Sequence, residues 1–192
     1  MAACSQETPK PNPAAAPPRH VVLITIDTLR ADHLGAYGHA AARTPAIDAL
    51  ARDGVRFDRA FATAPITLTS HASLMTGRYP PGHGARHNGI RVDLKVPTLA
   101  EALARAGFAT AAFVGAFPLD RRFGLIKGFQ TYGDTMPRDA RGRPANERAG
   151  RLVVDEALAW VAEHRNERVF LWVHLFEPHA PYGDAATSRA QL

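Results

Sequence analysis

The stretch VVLITID, residues 21–27, decides how this chain folds. Up to Ile26 it is β-branched and almost wholly apolar, which favours a strand buried on both faces of a parallel sheet over an alternating edge strand. The polar, glycine-containing segment 28–38 cannot continue that strand. Because ligands of open α/β sheets gather just beyond the carboxyl ends of strands, Asp27 is well placed to hold a cation. A cap on the following turn is the alternative role for Asp27.

Strand and helix patterns alternate along the rest of the chain. Apolar segments at 108–115 and 169–176 predict further buried strands, and 55–62 predicts a short one. Helices are predicted at 44–54, in the later part of 63–78, at 98–106 and at 147–165. The alternation indicates an α/β fold with a mostly parallel sheet and helices on both faces.

Some of these helices carry more specific predictions. The helix at 98–106 begins with a capping box formed by Thr98 and Glu101. Leu74 and Met75 are expected to pack, and the apolar residues at mainly helical spacing in 147–165 are Leu152, Leu158, Trp160 and Val161. The segment 80–88, which carries two histidines, and the segment 118–144, rich in arginine and glycine, are predicted to be irregular.

The composition is that of a globular domain of ordinary size. The chain has 192 residues, 46% hydrophobic and 21% charged, and no apolar run approaches the ~20 residues that a membrane-spanning helix needs. Its one cysteine, Cys4, excludes an internal disulfide and a multi-cysteine zinc site. The net charge of +5 comes mostly from scattered arginines, whereas nucleic-acid binders more often concentrate basic residues on one face. We therefore expect no nucleic-acid partner, and the charge favours small anionic substrates.

The N-terminal residues 1–19 are rich in alanine and proline and lack a periodic apolar face. They predict a disordered leader ahead of a single domain at 20–192. Residues 1–5, MAACS, resemble the end of a bacterial lipoprotein signal, in which the cysteine is lipidated. If the true start lies upstream, Cys4 would carry a lipid anchor and the protein would be periplasmic or otherwise exported. An ordinary tail is the alternative.

Candidate catalytic side chains lie at the ends of predicted elements. Asp27 and His179 follow strands, and Thr67 precedes a helix N-terminus, where free N–H groups and the helix dipole favour an anion. Loops in such positions converge on one end of a sheet, so these side chains could meet. A divalent metal held by Asp27 would make the Thr67 hydroxyl a better nucleophile. The alternatives are a helix cap for Thr67 and ordinary packed or surface positions for His71 and His179.

Ordered blocks of sequence carry a family resemblance. They are residues 21–32 (VVLITIDTLRAD), 44–51 (TPAIDALA), 74–78 (LMTGR) and 178–182 (PHAPY). Together they resemble the N-terminal part of the sulfatase family within the alkaline phosphatase superfamily, over roughly residues 19–182. The resemblance implies an alkaline-phosphatase-like or sulfatase-like α/β fold, with a metal-assisted nucleophile that acts on sulfate or phosphate esters.

The resemblance also implies roles for individual residues. Asp27 falls on a metal-ligand position, Thr67 on the position of the metal-bound nucleophile, and Asn88 and His179 on polar positions around the substrate anion. His71, at i+4 from Thr67, is a candidate acid or base, with packing as the alternative. The metal implied is a divalent cation, Ca²⁺, Mn²⁺ or Zn²⁺, whose further ligands family members bring from sequence beyond the end of this chain. We therefore expect a C-terminally truncated form, the N-terminal portion of such an enzyme.

Departures from the family pattern point to a particular chemistry. Thr28 stands where many sulfatases have a second aspartate, Thr67 where they have a cysteine or serine oxidised to formylglycine, and His71 where they have an arginine. The segment 115–118, GAFP, lacks the lysine and histidine of the corresponding family segment. A sulfated formylglycine hydrate expels sulfate by collapsing to the aldehyde, whereas an ester on threonine needs attack by water, as in phosphatases and phosphodiesterases of the superfamily. We therefore favour a phosphate ester or diester as the substrate over a true sulfatase reaction.

Two hypotheses of different kinds remain. The first is a metal-dependent hydrolase of small sulfate or phosphate esters, complete only with further sequence. The second is a non-catalytic remnant that binds an anion or a partner protein through the same loops. Turnover of an aryl ester that is abolished by Thr67→Ala would separate them.

Overall fold

The structure is a computed structural model that describes residues 19–180. Residues 1–18 of the predicted leader, the predicted anchor at Cys4 and the end of the 178–182 segment lie outside the described residues. Between residues 19 and 180, no helix is both long enough and apolar enough to cross a membrane.

The described residues form a four-stranded sheet in which every pair of neighbouring strands is parallel, in the order β1-β4-β2-β3. The strands are β1 His20–Ile26, β2 Ala109–Val114, β3 Thr131–Gly133 and β4 Val169–Leu175. β4 lies between β1 and β2, and its His174 is in register with Thr25 on one side and Val114 on the other. The pairing confirms the predicted α/β class, and it confirms the strands predicted at 108–115 and 169–176.

Helices cover both faces of this sheet. They are α1 Pro45–Asp53, α2 Thr67–Thr76, α3 Pro80–His83, α4 Leu99–Arg105 and α5 Gly150–Glu163, with 3-10 helices at Ala31–His33, Gly35–Tyr37, Phe117–Leu119 and Arg121–Phe123. Because alternate residues of a strand point to opposite faces, Leu171 and Val173 of β4 pack with α5, whereas Phe170 and Trp172 pack in the core that includes α2 and α4. The two cores confirm the prediction of helices on both faces.

The predicted capping box at the start of α4 is present. The backbone N–H of Glu101 donates to Thr98 Oγ1 at 3.1 Å, and the backbone N–H of Thr98 donates to Glu101 Oε2 at 2.9 Å. These bonds satisfy two N–H groups in the first turn, which fixes where α4 begins. The Thr98 hydroxyl also donates to the Lys127 carbonyl at 2.8 Å, so the helix start is tied to the loop that leads into β3.

The prediction that β1 is buried on both faces is wrong. Val22 and Ile24 are each 55% exposed, whereas Val21 and Leu23, which alternate with them, are half-buried against the core. The reason is position: β1 is the edge strand of the described sheet, and α5 packs over β4 and β2. Composition showed that the strand could be buried, but burial also needs an element to cover each face.

The prediction that Leu74 packs is wrong, and not every apolar residue at helical spacing in α5 is buried. Leu74 is 48% exposed while Met75 is buried, and Leu152 and Leu158 of α5 are 52% and 63% exposed. Successive helix residues point about 100° apart, so only one of two adjacent apolar residues faces the core. The residues that do so follow the i, i+4, i+7 pattern. They are Leu68, Ala72 and Met75 in α2 and Val153, Ala157 and Trp160 in α5.

Three local predictions are corrected as well. The strand predicted at 55–62 is an irregular, exposed loop, because no neighbouring strand pairs with it in the described sheet. The loop predicted at 80–88 begins with the single turn of α3, and the irregular region 118–144 contains the short strand β3. Both are too short to give a periodic apolar pattern.

Candidate active site

Asp27 stands directly beyond the end of β1. Its backbone N–H donates to the Leu175 carbonyl at 2.9 Å, which extends the pairing of β1 with β4 by one residue. The next residue, Thr28, has φ +54°, a left-handed conformation that is rare for a β-branched residue. The chain therefore leaves the sheet sharply at this point, and the carboxylate of Asp27, which is 9% exposed, stays at the strand end.

Thr67 meets Asp27 although 40 residues separate them. The Thr67 hydroxyl donates to Asp27 Oδ2, with Oγ1 and Oδ2 3.0 Å apart. Thr67 is the first residue of α2, and the N-cap position belongs to Ile66, which has an apolar side chain. The alternative role of Thr67 as a helix cap is therefore wrong, because its hydroxyl is bonded to a carboxylate from another element.

One cavity of about 500 Å³ brings the predicted site residues together. Its lining includes every one of the site residues predicted from the sequence, Asp27, Thr67, His71, Asn88 and His179. A second cavity of about 560 Å³ adjoins it and shares Ser70 and His71 with it. The prediction that loops at one end of the sheet would converge agrees with this placement, while the chemical roles of the residues remain predictions.

Asn88 is oriented by the first turn of α2. The backbone N–H of Leu68 donates to Asn88 Oδ1 at 3.0 Å. Since the amide oxygen is engaged there, the orientation of the side chain is fixed and its NH₂ group is left as a donor. An NH₂ donor that lines the cavity is suited to bind an anion.

His71 is held one turn below Thr67 on α2. Its Nδ1 lies 2.7 Å from the Thr67 carbonyl oxygen, and because a carbonyl can only accept, the proton is on Nδ1. Burial lowers the pKa of His71, against the smaller opposing effects of the Thr67 carbonyl and the Asp27 carboxylate. The ring is therefore neutral near pH 7, with a lone pair on Nε2.

His179 lies on the segment that follows β4. Its ring stacks on Phe176 with centroids 4.3 Å apart, and its Nδ1 lies 2.6 Å from the carbonyl oxygen of Ala180. The carbonyl again accepts, which places a proton on Nδ1. His179 thus has the same tautomer as His71, and both rings line the cavity from different elements.

A buried group behind Asp27 was not predicted from the sequence. His174 of β4 is fully buried, its Nδ1 lies 2.9 Å from Thr25 Oγ1, and its Nε2 lies 3.7 Å from Asp27 Oδ2. Burial, together with the nearby His71, lowers the pKa of His174 from 6.5 to about 2. The signal was available, since a histidine in the strand VFLWVHL is the one ionisable residue of an otherwise apolar run.

The described residues supply part of a metal-ligand set. The oxygens Asp27 Oδ2 and Thr67 Oγ1, 3.0 Å apart, are hard donors close enough to bind the same cation. Among residues 19–180, however, no group of three or more His, Cys, Asp or Glu side chains could hold a metal ion. Two oxygens are fewer than Ca²⁺ or Zn²⁺ requires, so these residues fit a cation as two of its ligands.

The fold and this arrangement define a sulfatase-like or alkaline-phosphatase-like α/β domain, and solved structures agree. One is a protein solved in complex with its substrate D-glucosamine-2-N,6-O-disulfate, with a TM-score of 0.70 and 20% identity over 83% of this chain and 34% of that one. Another is the phosphonate monoester hydrolase of Agrobacterium radiobacter, with a TM-score of 0.68 and 25% identity over 88% of this chain and 43% of that one.

The family follows from the sequence. The family model described as Sulfatase matches residues 19–191, and the chain belongs to the sulfatase family. It is 40% identical over 114 residues to the steryl-sulfatase of Mus musculus, a match that covers 53% of this chain and 18% of that protein. It is 38% identical over 104 residues to human arylsulfatase A, covering 50% of this chain and 20% of that protein. The chain thus spans about a fifth of the length of these relatives.

Proposed function

We propose that this chain carries the nucleophile-bearing part of a hydrolase of sulfate or phosphate esters, with Thr67 as the nucleophile. The observation that supports it is the bond from the Thr67 hydroxyl to the Asp27 carboxylate at 3.0 Å, between two residues that line a cavity of about 500 Å³. When a hydroxyl donates its proton to a carboxylate, its lone pairs point away from that carboxylate and are available to attack. An adjacent base that accepts the proton is a common way to activate a hydroxyl nucleophile.

The other residues of the cavity have complementary roles in this proposal. The NH₂ group of Asn88 and the start of α2 would bind the charged oxygens of the ester. His71 and His179 would exchange protons with the leaving alcohol and with the incoming water, through the nitrogens that their backbone carbonyl partners leave free. A divalent cation held by Asp27 and Thr67 would lower the pKa of the hydroxyl and neutralise charge on the ester oxygens.

The identity of Thr67 bears on which ester is cleaved. Attack by the Thr67 oxygen on sulfur or phosphorus forms a threonine ester and releases the alcohol, which takes up one proton. A second attack, by water, then breaks the bond to Thr67 and restores the hydroxyl. Phosphoryl groups follow this route in many enzymes, and a relative in fold is a phosphonate monoester hydrolase. The named sulfatases among the relatives support a sulfate ester as the other substrate class.

The test is a matched pair of threonine variants on α2. Thr67→Val removes the hydroxyl that contacts Asp27, and Thr69→Val removes a buried hydroxyl that has no hydrogen-bond partner among the described residues. We expect turnover of 4-nitrophenyl phosphate, a bis(4-nitrophenyl) diester or 4-nitrophenyl sulfate with Ca²⁺, Mn²⁺ or Zn²⁺ to be lost in Thr67→Val and kept in Thr69→Val. The assay is run on this chain and on a version extended downstream. No turnover by either version would instead favour a non-catalytic remnant that binds an anion or a partner.

A further inference from the structure

We propose that His174 is a positioning residue for Asp27, with its ring held by Thr25 and its Nε2–H group facing the Asp27 carboxylate. The inference rests on the proposed roles of Asp27 and Thr67, and it deepens that proposal by naming the group that supports the carboxylate from behind.

The contacts on the two sides of the His174 ring indicate where its proton lies. The indole Nε1 of Trp172 can only donate, and it donates to Thr25 Oγ1 at 3.0 Å. Thr25 Oγ1 is also 2.9 Å from His174 Nδ1, so the hydroxyl is free to donate its own proton there. A lone pair on Nε2 would face the Asp27 carboxylate at 3.7 Å, whereas an N–H group there is attracted to it, so the neutral imidazole carries its proton on Nε2 and accepts the Thr25 hydroxyl at Nδ1.

That Nε2–H group faces the site. Nε2 lies 3.7 Å from Asp27 Oδ2, which is the same oxygen that accepts the Thr67 hydroxyl at 3.0 Å. Nε2 is buried and has no hydrogen-bond partner among the described residues. A buried donor without a partner is costly, so its position next to this oxygen needs an explanation.

The explanation is that His174 and Thr67 share Oδ2 at different stages. While Thr67 keeps its hydroxyl proton, that hydroxyl is the nearer donor to Oδ2, at 3.0 Å against 3.7 Å for His174 Nε2. Once the Thr67 oxygen is esterified the proton is gone, and a move from 3.7 Å to the ~2.9 Å of an ordinary N–H···O bond lets His174 replace it. His174 would thus hold Asp27 in place through both steps, as partners behind a catalytic carboxylate do in other enzymes.

The direct test is ¹⁵N NMR of the histidine side chains in the full 192-residue chain without added metal. We expect the signals of His174 to show the Nε2–H tautomer. In Thr67→Val, which lacks the hydroxyl proton, we expect the Nε2–H proton resonance to move downfield as it bonds to Asp27. Thr69→Val, the control, should leave the His174 signals unchanged.

A proton on Nδ1 in the unmodified chain, or an unchanged Nε2–H resonance in Thr67→Val, would overturn the inference. Neither readout needs turnover, so its failure is distinct from failure of the proposed function. In an active, downstream-extended version, His174→Phe should lower kcat about 10- to 100-fold with little change in KM, and His174→Gln, which keeps an N–H donor, should restore part of it. Equal activity in His174→Phe and the unmodified enzyme would also refute it.

Discussion

Gly128→Ala is the substitution for which the structure gives the sharpest prediction of stability. Gly128 has φ +91°, and a Cβ at this position would lie 2.3 Å from the backbone nitrogen of Glu101 and 2.7 Å from the carbonyl carbon of Ala100. Both atoms belong to the backbone in the first turn of α4, so a side-chain rotation cannot relieve the overlap. The start of α4 must move instead.

The cost can be worked out from what that movement breaks. The left-handed backbone costs an alanine roughly 1–2 kcal/mol. Displacing the first turn of α4 disrupts the capping box of Thr98 and Glu101, for about 1 kcal/mol, and the bond from the Thr98 hydroxyl to Lys127, for about 1 kcal/mol. We therefore expect Gly128→Ala to lower the free energy of unfolding by about 3–4 kcal/mol, which is large for a single methyl group.

The chain offers a matched control. Gly142 also has a positive φ, +75°, but a Cβ there would meet no atom within 4 Å. Gly142→Ala should therefore lower the free energy of unfolding only by the cost of a left-handed backbone at an alanine, roughly 1–2 kcal/mol. Urea unfolding followed by far-ultraviolet circular dichroism measures both variants against the unmodified chain. The reasoning is refuted if Gly128→Ala destabilises the protein no more than Gly142→Ala.

Three more predictions concern buried polar groups. Arg148→Met should cost about 3–5 kcal/mol in the same urea experiment, because the buried guanidinium donates to the carbonyls of Val114 and Gly133 and ion-pairs with a carboxylate of α5. Burial lowers the pKa of His83, so the unfolded chain binds a proton on His83 more readily than the folded chain does. The contribution of His83 to the free energy of unfolding is therefore fully present above about pH 6.5 and is lost as the pH falls below that value. The free energy of unfolding should fall less steeply with decreasing pH in His83→Gln. Asp27→Asn should keep the fold by circular dichroism yet reduce ester turnover by about 10²-fold or more, and full activity in this variant would contradict the proposed role of the carboxylate.

The sequence alone was sufficient for the parts of the fold that local chemistry determines. The capping box of Thr98 and Glu101 needs only two side chains three positions apart, and the apolar runs at 108–115 and 169–176 needed only their composition. The proximity of Asp27 and Thr67 could be predicted from the sequence, because the ends of parallel strands and the starts of helices meet at one edge of a sheet.

What could not be predicted depends on neighbours that are distant in sequence. The exposed Val22 and Ile24 belong to a strand whose composition is that of a buried one, and only its place at the edge of the sheet explains the difference. The contact between Thr25 and His174 depends on the register of β1 against β4, which no local pattern encodes. A histidine in an apolar strand indicates that a partner exists, but it does not say which residue that partner is.

The edge position of β1 also decides what can come close to Asp27. The side of β1 away from β4 offers a row of backbone donors and acceptors that no strand among residues 19–180 occupies. Any segment that paired there would run about 4.8 Å from β1 and, if it extended as far as Ile26, would deliver its next side chains directly beside the carboxylate. A polypeptide segment that paired with this edge would therefore line the cavity beside Asp27. If the β1 edge of a second molecule paired there instead, at high protein concentration, the two molecules would aggregate and the cavity would be blocked.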